Sequence, residues 1–115
     1  MIGALTCGTG VALGAFGAHG LKQIVSVDML AIFETGVRYQ VIHGLATLAL
    51  AALTQVVPER KLNSVANLFL AGTIIFSGSL YALALTSQRM FGAITPLGGV
   101  GYLLGWGMLA IKNRA

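Results

Sequence analysis

Val65–Leu85 reads VANLFLAGTIIFSGSLYALAL, a stretch without a single charged side chain. A hydrocarbon core of about 30 Å needs about 20 helical residues, with about 17–25 tolerated. The run fits that length and does not alternate apolar with polar, so it is a helix rather than a strand. A membrane barrel would need at least about eight alternating strands. Backbone left unpaired in lipid costs several kcal/mol per group, which leaves helices as the spanning element.

Three more runs flank it. Residues 1–18 precede the first ionisable side chain, His19, and residues 39–57 are broken only by Gln40, His43, Thr47, Thr54 and Gln55. Residues 96–111 form the last run. The first and last are short for a span and need flanking residues or a locally thinned bilayer. The expectation is one all-α transmembrane domain over residues 1–115: an integral membrane four-helix bundle, with spans near 1–18, 39–57, 65–85 and 96–111.

Composition supports this. Hydrophobic residues make up 57% of the 115 and charged residues 9%, against about 25% charged in soluble domains. Ten charges cannot cover a soluble core of this size. That excludes a disordered chain, an ordinary soluble enzyme and a nucleic-acid-binding domain. The net charge of +4 comes from Lys and Arg beside the ends of apolar runs, where membrane proteins carry orientation signals. Cys7 is alone, so no internal disulfide forms. The N-terminus lacks a positive n-region and reads as a retained span rather than a signal peptide.

The run ends carry capping chemistry. Gly20 suits the C-terminus of the first span, and Val57-Pro58 closes the second. Thr95-Pro96 has the form of a helix start, a capping hydroxyl followed by proline at the first helical position. The longest connection contains an amphipathic segment, 26–38, that Ser26 can cap. It either lies in the interface or runs straight into span two. Arg60, Lys61, Lys112 and Arg114 on one side outnumber Lys22, Arg38 and Arg89 on the other, which favours cytoplasmic termini in an inner membrane. Two stripes of small residues, Gly10/Gly14/Ala18 and Gly98/Gly101/Gly105, point to close helix packing within the chain ahead of dimerisation or a lipid groove. Tyr102 and Trp106 read as core or interface anchors.

The polar candidates cluster around span two. Gly36, Tyr39, Gln40, His43 and Thr47 share a helical stripe. Glu34 and Arg38, four apart, face elsewhere and can pair. His43 turns into the bundle and seeks a hydrogen bond from Tyr39 or another helix. His19 ends span one on the same side of the membrane, so the two histidines can meet, as a metal site, a proton relay or a lock between helices. No third ligand stands at a recognised spacing, so no metal or other cofactor is expected. Ser77-Gly-Ser79 puts hydroxyls in span three, read as packing or back-bonding to their own helix, and no base or elbow for nucleophilic catalysis accompanies them.

Gly14–Leu21 (GAFGAHGL), Phe33–Ala46 (FETGVRYQVIHGLA), Phe76–Tyr81 (FSGSLY), Thr95–Gly99 (TPLGG) and Gly105-Trp106 together resemble the YgdD-like family of small membrane proteins, whose domain has no settled activity. The resemblance implies a four-span inner-membrane protein and no particular reaction. It places its motifs on His19, Glu34, Arg38, Tyr39, Gln40, His43, Ser77 and Pro96. The functional expectation is a non-enzymatic accessory protein that binds lipid, a hydrophobic ligand, a partner membrane protein or further copies of itself. The alternative is an oligomeric proton or small-solute transporter using His19, Tyr39, Gln40 and His43.

Overall fold

A computed structural model describes residues 1–57 and 59–112, without the side chains of residues 59–61 and 112. Four helices carry it: α1 (Ile2–His19), α2 (Val27–Leu53), α3 (Glu59–Thr86) and α4 (Met90–Lys112). A 3-10 turn at Leu21–Gln23 follows α1. There are no strands among the described residues. Among the described residues three segments are long and apolar enough to cross a membrane, Ile2–Gln23, Leu62–Thr86 and Met90–Ile111; α2, which holds the expected second span, is not one of them. The short first span is thus lengthened by the 3-10 turn, as its flanks had to allow.

Apart from the 3-10 turn, the connection between the first two runs contains no separate helix, so the amphipathic interfacial helix expected between spans one and two is instead the first part of α2. Ser26 accepts a hydrogen bond from the Met29 N–H at 3.2 Å, and α2 then runs unbroken for 27 residues. Of the two outcomes open for segment 26–38, the continuous one holds. Gly36 serves close contact with α3: a Cβ there would fall 2.7 Å from the Tyr81 ring.

The α4 start differs from its sequence signature. Thr95-Pro96 does not open the helix, which begins at Met90 with Pro96 inside it. Proline within a membrane helix is tolerated where nearby hydroxyls serve the disturbed backbone. Thr95 Oγ1 donates to the Phe91 carbonyl at 3.3 Å and meets Ser79 Oγ of α3 at 2.5 Å. At the other end of the fold, Pro58 and Arg114, used above for the second span's end and the charge count, lie outside the described residues.

The helices pack in chain order, α1 on α2, α2 on α3 and α3 on α4. Among the described residues no close backbone approach joins α1 to α3 or α4, and the fold measures 49 × 26 × 16 Å. The bundle is therefore a slab of antiparallel helices. Glycines make it tight. Added Cβ atoms at Gly3 and Gly10 would fall 2.8 Å from the Gly44 carbonyl and 2.7 Å from Val41. A Cβ added at Gly101 would fall 3.5 Å from the Gly72 Cα of α3, and one at Gly105 would fall 2.6 Å from the Phe69 ring. Small residues allow this contact where lipid gives apolar side chains little drive to associate. The α4 stripe works as read, whereas Ala18 is exposed and the buried face of α1 is Gly3, Gly10 and Gly17. Leu50, Leu62, Val65, Phe69 and Tyr102 form one buried cluster; Leu21, Phe33 and Ala84 form a second at the opposite end.

Candidate functional site

Gln40 joins three helices. Gly10 leaves room for it, since a Cβ there would already touch the Gln40 chain at 3.5 Å. Its Nε2 donates to the Thr6 carbonyl at 3.0 Å and to Thr9 Oγ1 at 2.8 Å, both on α1. Its Oε1 accepts from the Tyr81 hydroxyl of α3 at 2.5 Å. One turn back, Ser77 Oγ donates to the Gly36 carbonyl at 2.7 Å. Ser77 thus bonds across to α2 rather than to its own helix, and Ser79 provides the back-bond, to Phe76 at 2.9 Å.

His43 sits three residues on, about 60° around the helix from Gln40. That small rotation places the two on opposite flanks of α3. The Trp106 indole N–H of α4 donates to His43 Nε2 at 3.0 Å. An indole nitrogen only donates, so Nε2 accepts, and Nδ1 carries the proton and donates to the Tyr39 carbonyl at 2.8 Å. The ring is the neutral Nδ1–H tautomer with both nitrogens engaged. Tyr102 stacks on it, with centroids 3.5 Å apart and planes 9° from parallel, while Phe69 meets it edge-on at 5.1 Å. The Tyr102 hydroxyl in turn donates to Thr73 Oγ1 at 2.9 Å.

These two polar junctions floor two clefts on opposite faces of the slab. Between α1 and α3 lies an open groove of about 400 Å³ with Gln40, Thr9 and Ser77 at its base. Between α2 and α4 lies a cleft of about 360 Å³, walled by Tyr39, Phe76, Pro96, Val100, Leu103 and Trp106 with His43 at its floor. No buried side-chain nitrogen or oxygen among the described residues lacks a partner.

The sequence-derived cluster is therefore divided. Tyr39 and His43 share the α2–α4 cleft, and Gln40 and Ser77 share the α1–α3 groove. His19 joins neither. It is exposed at the end of α1, beside the level of Gly17 and Phe33, and His43 lies about 15 Å further along α2 from Phe33 at 1.5 Å per residue. The two histidines, which the sequence allowed to meet, do not, because antiparallel packing sets their heights apart. No metal-holding group of His, Cys, Asp or Glu is found among the described residues. Glu34 and Arg38 are both exposed on the outer side of α2, and no salt bridge within 4.0 Å joins them. Sequence reasoning missed Thr9, Thr73 and Tyr81 as partners, and took Tyr102 and Trp106 only as anchors. Their contacts span 29 to 63 residues of chain, beyond any local pattern.

Comparison with known proteins gives the chain its relatives. Residues 13–99 match the family described as "Protein of unknown function (DUF423)". The chain is 45% identical to UPF0382 membrane protein SSP2132 of Staphylococcus saprophyticus, over 96% of this chain and 92% of that one. It is 38% identical to UPF0382 membrane protein YwdK of Bacillus subtilis, over 96% and 91% of the two chains. To the UPF0382 inner membrane protein YgdD of Escherichia coli K12 the identity is 43%, over 88% of this chain and 77% of that one. No solved structure matches. With matches covering nearly its whole length, the chain belongs to the UPF0382 (DUF423) family and is a small, helical integral membrane protein.

Proposed function

We propose that the protein is a non-enzymatic component of the inner membrane that holds a hydrocarbon chain, from a lipid or another hydrophobic small molecule, in the α2–α4 cleft. The observation that carries this is a cleft with apolar and aromatic walls whose His43, Tyr102 and Trp106 polar atoms are already bonded within the chain. Its volume of about 360 Å³ lies in the range of small-molecule pockets. A ligand there needs shape and dispersion contacts and meets no polar floor atom in search of a partner. The same saturation argues against catalysis, since a general base needs a ring nitrogen free to take a proton. Transport is less favoured because Gln40 and His43 open to different clefts rather than lining one path.

In this reading all four helices cross the bilayer, α2 included. Sequential antiparallel packing supports both termini on one side, and the positive-charge count favours the cytoplasm for that side; C-terminal reporter fusions test it. The ligand is tested by native mass spectrometry from lipid nanodiscs. The parent is expected to retain a lipid-like adduct. Gly99→Leu is expected to lose it, because a Cβ at Gly99 meets nothing closer than Phe76 at 3.9 Å and the larger side chain extends into the cleft. A parent without adduct, or a Gly99→Leu protein with the same adduct, refutes the reading.

A further inference from the structure

We infer that a second copy of this chain packs against the outward face of α2, with Glu34 of each copy paired to Arg38 of the other. Glu34, Arg38, Ile42, Leu45 and Ala49 recur along α2 at three- and four-residue intervals and are all exposed. They form the side of α2 turned away from buried Gly36, Gln40, His43 and Gly44.

One of the two charges on this face, Arg38, is placed within the slab. Phe33 packs with Ala84 and against Gly17, near the ends of α3 and α1. Arg38 lies about 7.5 Å further toward the middle of α2. An arginine at such depth normally pairs or faces a bundle interior, yet Arg38 is exposed and no salt bridge joins it to Glu34, which is also exposed and lies one residue past Phe33, level with the helix ends. An anionic lipid headgroup would suit Arg38 and be repelled by Glu34 on the same face. A second copy carries the complementary pattern by symmetry: in a two-fold contact, residue i meets j and j meets i. With both copies inserted the same way, Glu34 and Arg38 of opposing helices differ in height by about 6 Å, within reach of two long side chains. Ile42, Leu45 and Ala49 then extend the contact below the charges.

The test co-expresses two differently tagged copies and measures co-purification from membranes. The parent pair associates. E34R alone and R38E alone each place like charges across the two-fold and are expected to lose association about tenfold or more. E34R expressed together with R38E restores both cross-pairs while leaving each copy's own helix with like charges, and association is expected to return. Rescue in the mixture therefore separates pairing between copies from pairing within one helix. Crosslinking in a Cys7→Ala background gives a readout independent of charge variants: Ile42→Cys is expected to form a disulfide dimer, and Val11→Cys, on the outer side of α1, is not. A monomeric parent, a mixture that stays apart, single variants that associate like the parent, or crosslinking at Val11 in preference to Ile42 overturns the inference. A parent that is monomeric with phospholipid held at Arg38 overturns it in favour of lipid.

Discussion

Replacing Gln40 with Leu removes three hydrogen bonds at once, two to α1 and one from Tyr81 of α3. Bonds between membrane helices average about 0.6 kcal/mol by double-mutant cycles, so the three together are worth about 2 kcal/mol. What remains afterwards differs among the partners. Thr9 Oγ1 keeps its own bond to the Leu5 carbonyl at 2.8 Å. The half-buried Tyr81 hydroxyl loses its acceptor, which adds about 1 kcal/mol. The expected loss for Gln40→Leu is about 2–3 kcal/mol, and for Tyr81→Phe about 1 kcal/mol. Once Gln40 is gone, removing the stranded hydroxyl costs little, so the double variant is expected to fall short of additivity by about 1 kcal/mol. Reversible unfolding in mixed detergent micelles measures all four proteins. If Gln40→Leu lies within about 0.5 kcal/mol of the parent, or if the two changes simply add, Gln40 does not join three helices as described.

Other substitutions read other parts of the fold. His43→Leu strands the Trp106 indole N–H and is expected to cost about 1–3 kcal/mol, with an altered emission spectrum from this single tryptophan. Arg38→Ala, on an exposed side chain without a salt-bridge partner among the described residues, is expected to lower the thermal stability of the detergent-solubilised monomer by about 1 kcal/mol or less. Gly98→Ala drives a methyl into the Phe76 backbone of α3 and is expected to cost about 1–3 kcal/mol by overpacking. Gly8→Ala meets nothing within 4 Å and gains helix propensity, so it is expected to leave thermal unfolding unchanged or raise its midpoint.

The runs corresponding to α1, α3 and α4 were legible because length and hydropathy decide membrane-crossing segments, and the α4 glycines because close approach has few other uses there. The start of α4 was misread for a physical reason. Thr-Pro marks a helix start where water competes for the backbone, but in a membrane the Thr95 hydroxyl and Ser79 help a helix pass through Pro96. Gln40 and His43 were legible as inward polar groups on one stripe. Their separation into two junctions was not, because the stripe is broad enough to straddle α3, and only the positions of α1 and α4 decide which flank each residue serves. His19 shows the converse limit: being on the same side of the membrane does not bring two residues together when their heights differ by several turns.

The most direct test of the hydrocarbon-binding cleft is an experimental density map of the protein in lipid nanodiscs. The expected result is an elongated, unbranched density between Tyr39, Phe76 and Trp106, touching the stacked His43 and Tyr102 rings and absent in Gly99→Leu. A cleft closed by Trp106 or Leu103 folding into it, or one holding only ordered water bonded to His43, would contradict it.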